Sequence, residues 1–319
     1  MRIVIIMPVY EDWESALELC RRIDAVFTKH VVSSLRIIFI DDGSVTPCPA
    51  ELPVPLQATE KVSVLILRRN LGHQRAIAVA LAYIQEHYRA DALAVMDGDG
   101  EDRPEDIPRM LKAMQETGSS VAVLAERGKR LERASFRFLY WFYSSLHRLL
   151  AGRDIRFGNF TLVPWGYLER LVACPELWNH YAATILKARL PYTRLRCDRA
   201  TRIGGQSHMN FTSLVVHGLS ALFANQEVVG TRLFMATFCA TITLITVSAL
   251  VIGVRLFTNL AVPGWATFTL GLLVVMVGQS LIALFLLIFS VIMNRSQLGF
   301  LPIRDYPYFV RQETTLYSR

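Results

Sequence analysis

Two aspartates, Asp97 and Asp99, follow an apolar run within the segment 92–105, which reads ALAVMDGDGEDRPE. An Asp-x-Asp pair that a strand delivers into a loop can place a divalent metal against the diphosphate of a nucleotide. Carboxylate oxygens suit the hard cations Mg²⁺ and Mn²⁺, and phosphate oxygens complete the coordination shell. The alternative is an aspartate-rich turn without function, and the preceding apolar run favours the metal site.

The first half of the chain contains the elements that would position this pair. Five short runs rich in Val, Ile and Leu occur at 2–9, 35–40, 62–67, 91–96 and 121–125. Helix-like stretches such as 15–27 and 74–88 separate several of them, which predicts βαβ units and a mostly parallel sheet. Ligands of such sheets bind beyond the carboxyl ends of the strands. Polar or turn-forming clusters fall there, at 8–10, 41–44, 70–73 and 97–101.

The second half carries two long segments without a charged residue, at 233–254 and 266–293. The first has 22 residues, which at about 1.5 Å per residue reach roughly 33 Å, enough to cross a hydrocarbon core of ~30 Å. The link between them contains Asn259, Pro263 and Gly264, which favour a turn. We therefore expect a transmembrane hairpin. A buried globular helix is the alternative, and such length without a charge disfavours it.

The flanking charges predict the orientation of this hairpin. The link carries only Arg255, whereas other arginines flank the opposite ends, at Arg232, Arg295, Arg304 and Arg311. The N-terminal run MRIVIIMPVY is too short for a signal-peptide core and lacks a small-residue cleavage site, so it is interpreted as a strand. These features predict a multi-pass protein of the inner (cytoplasmic) membrane, with the large N-terminal domain and both termini in the cytoplasm.

Charge and composition indicate which kinds of binding partner and structural site the protein can have. A net charge of +7 suits nucleic acid or an anionic membrane surface. No recognisable nucleic-acid module accompanies that charge, and 52% apolar content favours the membrane. The five cysteines are odd in number and lack Cys-x-x-Cys spacing. Neither a disulfide framework nor a zinc site is predicted.

Two segments that lie in the sequence between the predicted strands and the predicted spans mix apolar with polar or charged residues. The segment at about 130–150 places Phe, Leu and Tyr side chains on one helical stripe, beside four arginines. This pattern favours an amphipathic helix among lipid headgroups, and packing against its own domain is the alternative. The segment 211–230 is similar but less charged, and is predicted to be a second interfacial or juxtamembrane helix.

The chain resembles the family-2 inverting glycosyltransferases of the GT-A fold in four segments: MPVYED at 7–12, FIDDGS at 39–44, RRNLGHQRAI at 68–77 and MDGDGEDRPEDIP at 96–108. The two C-terminal spans narrow the resemblance to the polyprenyl-phosphate glycosyltransferases, which include dolichyl-phosphate mannose synthase and the bactoprenol glucosyl transferases. The resemblance implies an α/β catalytic domain with a Rossmann-like, mostly parallel sheet, followed by interfacial helices and a two-helix transmembrane hairpin.

This resemblance predicts the domain boundaries. A cytoplasmic GT-A domain is expected at 1–210, the juxtamembrane helix at 211–230, transmembrane helices at 231–255 and 266–293, and a cytoplasmic tail at 294–319. Within the tail, Tyr306-Pro307-Tyr308 is similar to a family segment that returns to the catalytic domain.

On the donor side, the resemblance implies a nucleotide-sugar-binding set of Pro8, Tyr10, Glu11, Asp41, Asp42, Asn70, Gly72 and Asp97. Glu11 stands where the family pattern has Asn. Asp41 or Asp42 is expected to accept a hydrogen bond from the nucleobase or ribose, a role that suits a carboxylate at a strand end. A simple turn there is the alternative. The resemblance also implies a Mg²⁺ or Mn²⁺ site formed by Asp97, Asp99 and Glu101, where Glu101 replaces a Gln.

On the acceptor side, RATRIGGQSHMN at 199–210 is similar to the family's Arg-x-x-Gly-x-Ser-Lys. The resemblance implies that Arg202, Ser207 and His208 bind the acceptor phosphate, with His208 in place of Lys. Arginine can grip phosphate with two parallel hydrogen bonds, whereas histidine holds its charge less reliably at neutral pH. A plain basic loop near anionic headgroups is the alternative.

These assignments predict a membrane-bound enzyme of cell-envelope glycan chemistry that moves a sugar from a nucleotide-sugar, expected to be a UDP-sugar, to a polyprenyl phosphate. The predicted catalytic residues are Asp99, Asp102 and Arg202. A phosphate acceptor is already anionic, whereas a hydroxyl acceptor would need a base, for which Asp102 is the nearest candidate. The alternatives are direct transfer to a polysaccharide or another lipid, and a membrane scaffold with a decayed transferase domain. A homo-oligomer formed through the spans is compatible with the sequence.

Overall fold

The computed structural model describes residues 1–28, 32–49, 52, 55–127, 149–150, 157–204, 226–258, 264–296 and 299–319. Most of the predicted interfacial helix at 130–150, most of the helix at 211–230, and the residues Ser207 and His208 lie outside these ranges. The described chain forms two compact units. The first comprises 1–136, 155–224 and 299–319, and the second comprises 137–154 and 225–298.

The first unit is built around a sheet of eight strands. In chain order they are β1 (Arg2–Val9), β2 (Ser34–Asp41), β3 (Lys61–Leu67), β4 (Ala92–Val95), β5 (Ala122–Arg127), β6 (Phe157–Pro164), β7 (Tyr192–Cys197) and β8 (Val310–Ser318). Their spatial order is β7-β5-β6-β4-β1-β2-β3-β8. Only β6 and β8 run against the other strands. The predicted α/β fold with a mostly parallel sheet is confirmed.

Helices cover both faces of this sheet. They are α1 (Trp13–Thr28), α2 (His73–His87), α3 (Asp106–Glu116), α4 (Leu168–Val172), α5 (Tyr181–Lys187) and α8 (Pro302–Asp305), with short 3₁₀ turns at Trp165–Tyr167, Pro175–Trp178 and Tyr306–Tyr308. The sequence predicted β1 to β5, α1 and α2 to within about three residues at each end. It did not predict β6, β7 or β8 as strands.

Strand β1 shows why the apolar runs fold this way. Ile3, Ile5 and Met7 point into the layer that holds α1 and α3, whereas Val4 and Ile6 point into the layer that holds α2 and α5. All five are at most 1% exposed. A strand buried on both faces needs a continuous apolar sequence, and full burial of each such side chain contributes about 1.5–3 kcal/mol.

The second unit contains two long helices, α6 (Gln226–Phe257) and α7 (Trp265–Ser296). Their apolar portions, Glu227–Phe257 and Trp265–Met293, are long and apolar enough to cross a membrane by length and composition, with mean hydropathy 2.1 and 2.7. The helices pack against each other, and Thr241 Oγ1 lies 3.0 Å from Ser280 Oγ. This pair of helices agrees with the predicted hairpin.

Candidate active site

Three loops meet at the carboxyl ends of the parallel strands. The backbone N–H of Asp42, after β2, donates to the carbonyl of Val9 at the end of β1 (2.9 Å). The N–H of Met96, after β4, donates to the carbonyl of Ile6 (3.2 Å). A Cβ added to Gly98 would lie 2.9 Å from the carbonyl oxygen of Pro8, so this close approach of two loops requires glycine. The motifs predicted at these strand ends therefore lie close together in the folded protein.

Asp41 and Asp42 have different roles in these loops. Both oxygens of Asp42 accept backbone hydrogen bonds, from Leu71 N–H (2.7 Å) and Gly72 N–H (2.9 Å). Burial raises the pKa of Asp42, and these two donors oppose the shift. Asp41 Oδ1 accepts from Ser44 N–H (2.8 Å), and its Oδ2 accepts no hydrogen bond from the described residues. Asp41 is therefore the better placed of the two to accept a hydrogen bond from a nucleotide.

Asp42 thereby fixes the loop that carries Asn70 and Gly72. Gly72 has φ of 90°, in the region that favours glycine, immediately before α2. Asn70 is exposed in the same loop. Tyr10, at the end of β1, is 44% exposed and available for contact with a ligand.

Glu11 holds two loops together instead of facing the open site. Its carboxylate accepts hydrogen bonds from the backbone N–H groups of Val45 and Thr46, and its own N–H donates to Ser44 Oγ (3.1 Å). Hydrogen bonds from Thr46 and Val45 lower the pKa of this carboxyl. Glu11 has φ of 57°, a left-handed conformation in which Asn is much commoner. The Asn of the family pattern would fit this backbone more readily than Glu does.

The acidic turn after β4 presents four carboxylates with distinct partners. Asp97 Oδ1 lies 3.1 Å from both Asn159 Nδ2 and His73 Nε2. Asp99 Oδ1 accepts from Glu101 N–H (3.0 Å). Asp102 is buried, and its Oδ2 accepts from Asp97 N–H (3.1 Å). The side chains of Asp97, Asp99 and Glu101 are each about one-fifth exposed, so they remain open to a ligand.

A basic loop after β7 lies directly against this acidic turn. Arg202 contacts two carboxylates, through Nη2 to Asp12 Oδ2 (3.2 Å) and Nη1 to Asp99 Oδ2 (3.5 Å). Arg199 Nη1 lies 2.5 Å from Glu101 Oε2. Burial raises the pKa of Asp99, the carboxylates of Asp97 and Glu101 add to that shift, and Arg202 and the Glu101 N–H oppose it.

Backbone contacts fix the same two loops. Ala200 N–H donates to the Glu101 carbonyl (2.9 Å), and Ile203 N–H donates to the Asp99 carbonyl (3.1 Å). Gly100 has φ of 79°, and a Cβ there would lie 2.4 Å from the Ile203 side chain. The predicted catalytic residues Asp99 and Arg202 are thus brought together, although about a hundred residues separate them in the sequence.

The donor atoms at this turn fit a hard divalent cation in part. Asp97 and Asp99 offer carboxylate oxygens at a partly exposed position, where burial and neighbouring negative charge make a cation favourable. Among the described residues, no group of three or more His, Cys, Asp or Glu forms a complete cage. The Glu101 carboxylate is already engaged by Arg199. The residues therefore fit a cation held by Asp97 and Asp99, with other ligands coming from a bound diphosphate.

Three residues of the site were not predicted from the sequence: His73, Asn159 and Arg199. His73 and Arg199 lie inside motifs quoted above, so their positions carried a signal. Asn159 lies in β6, a strand that the sequence analysis did not predict.

Comparison with known proteins identifies the family. The model of glycosyl transferase family 2 matches residues 4–170. An undecaprenyl-phosphate 4-deoxy-4-formamido-L-arabinose transferase of Erwinia tasmaniensis is 29% identical over 116 residues, which cover 36% of this chain and 34% of that protein. The protein of the same description from Pseudomonas savastanoi pv. phaseolicola is 34% identical over 121 residues, or 37% and 33% of the two chains. The matched segment spans about a third of the length of these relatives.

Two solved structures are similar at low identity. One is mannosyl-3-phosphoglycerate synthase from Rubrobacter xylanophilus (TM-score 0.44, 15% identity, 83% of this chain and 78% of that chain). The other is glucosyl-3-phosphoglycerate synthase from Mycobacterium tuberculosis in complex with Mn²⁺, UDP and phosphoglyceric acid (TM-score 0.45, 13% identity, 72% and 78%). The family model covers slightly more than half of the 319 residues, including β1, β2, β3, β4 and the acidic turn. This chain therefore belongs to glycosyl transferase family 2.

Proposed function

We propose that this family-2 glycosyltransferase moves a sugar from a nucleotide-sugar, expected to be a UDP-sugar, to a polyprenyl phosphate at the membrane surface. The observation that carries the proposal is the direct contact between the acidic turn at Asp97–Asp99 and the arginine loop at Arg202. One side offers carboxylates for a metal–diphosphate, and the other offers a cation for a phosphate. The matched segments of the undecaprenyl-phosphate transferases support the same acceptor class.

The donor would bind across the carboxyl edge of the sheet. Asp41 Oδ2 would accept a hydrogen bond from the nucleobase or ribose. Asp97 and Asp99 would hold Mg²⁺ or Mn²⁺, which when bound offsets the negative charge that builds on the leaving diphosphate. The close approach at Gly98 and the bonds to Asp42 hold these loops before the ligand arrives, so little ordering is needed on binding.

The acceptor step would use the anionic charge of the phosphate itself. Its oxygen needs no proton removed before it attacks the anomeric carbon in line with the departing diphosphate, which inverts that centre. Arg202 would orient the phosphate through its guanidinium. We expect Ser207 and His208, which follow this loop in the sequence, to add donors to the same phosphate.

The environment of Asp102 supports a phosphate acceptor over a hydroxyl acceptor. A hydroxyl would need a general base within hydrogen-bond reach. Asp102 is 5% exposed and accepts a hydrogen bond from the Asp97 backbone, so its position suits it to holding the turn. This disfavours direct transfer to a polysaccharide, in which Asp102 would be that base.

The proposal is tested by following a labelled sugar into lipid. The purified protein in detergent or lipid is incubated with undecaprenyl phosphate, Mn²⁺ and a panel of radiolabelled UDP-sugars, and the lipid phase is extracted. We expect labelled lipid that a chelator abolishes, and none when undecaprenol, which lacks the phosphate, replaces the acceptor. Metal-dependent release of UDP without labelled lipid would support the UDP-sugar donor and reject the polyprenyl phosphate acceptor. If neither labelled lipid nor released UDP is detected, both the donor and the acceptor assignments are rejected.

A further inference from the structure

Asn159 lies beside Asp97 because of the register of two strands. Strand β6 pairs antiparallel with β4, and Thr161 is opposite Val95. Asp97 follows Val95 by two residues, beyond the end of β4, and Asn159 precedes Thr161 by two residues, so the two side chains come together. Its amide Nδ2 lies 3.1 Å from Asp97 Oδ1 and 2.8 Å from His73 Nε2. Asn159 is only 8% exposed, so its amide is shielded from solvent and depends on partners within the protein.

Gln74 supplies the other partner of this amide. Gln74 Nε2 donates to Asn159 Oδ1 (3.0 Å), and Gln74 Oε1 accepts from the backbone N–H of Tyr181 (2.7 Å). Tyr181 is the first residue of α5, where the backbone N–H groups have no partner within the helix. The chain of hydrogen bonds therefore runs from the start of α5 through Gln74 and Asn159 to Asp97.

The chain of hydrogen bonds has a fixed order of donors and acceptors, because the backbone N–H at its start can only donate. Each side-chain amide has one acceptor end and one donor end. Tyr181 N–H takes the acceptor end of Gln74, which leaves its donor end for Asn159 Oδ1. The donor end of Asn159, which carries two hydrogens, then faces Asp97 Oδ1 and His73 Nε2. If either amide turned over, two acceptor oxygens or two donor nitrogens would face each other with little access to water, which is unfavourable.

We propose that Asn159 is a positioning residue, held by Gln74, that fixes the Asp97 carboxylate in the orientation needed to bind the metal–diphosphate of the donor. The inference rests on the proposed function insofar as Asp97 binds the donor. Some residues donate a hydrogen bond to a metal-binding carboxylate without contacting the metal. Removing such a residue commonly lowers metal affinity or activity by about 10- to 100-fold.

Isothermal titration calorimetry of the full-length protein with Mn²⁺ and UDP, GDP, ADP or CDP tests this role. We expect Asn159→Leu to weaken binding of the preferred nucleotide with Mn²⁺ about 10- to 100-fold. Gln74→Met should also weaken it, although Gln74 does not contact Asp97. The double variant should bind no more weakly than Asn159→Leu alone, because both changes break the same chain of hydrogen bonds.

Thr161→Val provides the matched control. Thr161 lies on the same strand and is fully buried, and its Oγ1 is 2.6 Å from the hydroxyl of Tyr181. Losing that side-chain bond should lower thermal stability but leave the backbone N–H of Tyr181 on Gln74, so nucleotide affinity should be unchanged. In the transfer assay, the Asn159 variant should raise KM for the donor and leave KM for the polyprenyl phosphate unchanged, which a general loss of stability would not do.

Three results would overturn the inference. One is equal nucleotide affinity for wild type and Asn159→Leu. Another is a double variant whose loss is the product of the two single losses, since the residues would then act independently. In both cases the wild type still binds a nucleotide with Mn²⁺, and the proposed function survives. If the wild type binds none of the four nucleotides, the donor assignment of the proposed function fails together with this inference.

Discussion

Asp99 is the residue on which the proposed donor chemistry depends most directly. Its carboxylate is partly buried, lies near Asp97 and Glu101, and contacts Arg202. Burial raises its pKa, so the ionised form is disfavoured in the folded protein relative to the unfolded chain. An ionised carboxylate at this position lowers the stability of the folded protein, and binding of a cation there would raise that stability.

We expect Asp99→Ala to lower the transfer rate at least about 100-fold, because it removes a group that supports charge on the leaving diphosphate. It should not lower thermal stability, because it also removes a partly buried carboxylate whose ionisation is unfavourable. Both quantities are measured on the purified protein, by lipid-phase counting and by thermal unfolding. Asp91→Ala is the matched control, since Asp91 precedes β4 at the opposite edge of the sheet and is paired with Arg2 on the surface. A fully active Asp99→Ala variant would reject the metal assignment.

At the scale of elements, strand β8 returns the end of the chain to the catalytic sheet. It pairs with β3, and Arg68 N–H, just after β3, donates to the Phe309 carbonyl (2.8 Å). Glu313 on β8 accepts hydrogen bonds from the hydroxyls of Tyr83 (2.8 Å) and Tyr88. Tyr83 belongs to α2, the helix that also carries His73 and Gln74. The tail thus packs against an element of the active site, as the resemblance of Tyr306-Pro307-Tyr308 implies.

The pKa of Glu313 makes this contact dependent on pH. Burial raises that pKa, but hydrogen bonds from Tyr88, Ser63 and Tyr83 outweigh it, and the pKa is lowered from its ordinary value of 4.5. A lowered pKa in the folded state means that ionised Glu313 stabilises the protein above pH 4.5. That stabilisation is lost as the pH falls through the lower, folded-state pKa.

Glu313→Gln should therefore lower the free energy of unfolding by about 1.5–3 kcal/mol at pH 7, the range for hydrogen bonds to a charged group. The difference from wild type should shrink as the pH falls below 4.5, where the wild-type carboxyl becomes neutral in turn. Unfolding curves of the full chain at several pH values measure this, with Glu116→Gln, an exposed carboxylate at the end of α3, as control. A pH-independent difference would reject the electrostatic explanation.

At the scale of the whole molecule, the chain leaves the catalytic unit before α6 and rejoins it after α7. Residues 1–136, 155–224 and 299–319 belong to one unit, and the two apolar helices belong to the other. If both helices cross a membrane, the two ends of the hairpin must emerge on the same side. The charges predict that this side is the cytoplasm, because the link carries only Arg255.

A cysteine-labelling experiment tests that orientation. Asn259→Cys, between the two apolar segments, should react with a membrane-impermeant maleimide added to intact spheroplasts. Ser318→Cys, in the tail, should react only after the cells are permeabilised. The protein without either substitution controls for its five native cysteines. Labelling of Ser318→Cys in intact spheroplasts would reverse the predicted orientation.

Much of this architecture follows from local sequence pattern. The runs that became β1 to β4 are mostly apolar, as strands covered on both faces by helices require. The motif residues Asp41, Asn70 and Asp97 fall at strand ends because a polar cluster terminates each run. The two long helices were also predictable, because more than twenty consecutive uncharged residues need an apolar environment along their whole length.

The tertiary structure decided which of these groups meet and what each one does. In the structure the Glu11 carboxylate accepts hydrogen bonds from Val45 and Thr46, and the Glu101 carboxylate pairs with Arg199. The donor-binding role of Glu11 and the metal-binding role of Glu101 stay predictions. The pairing of Asn159 with Asp97 depends on the insertion of β6 beside β4. Such contacts join residues that are far apart in sequence, and they arise from strand order and loop packing. Local composition fixes where a strand ends, but the neighbours of that end are set by the free energy of the whole packed sheet.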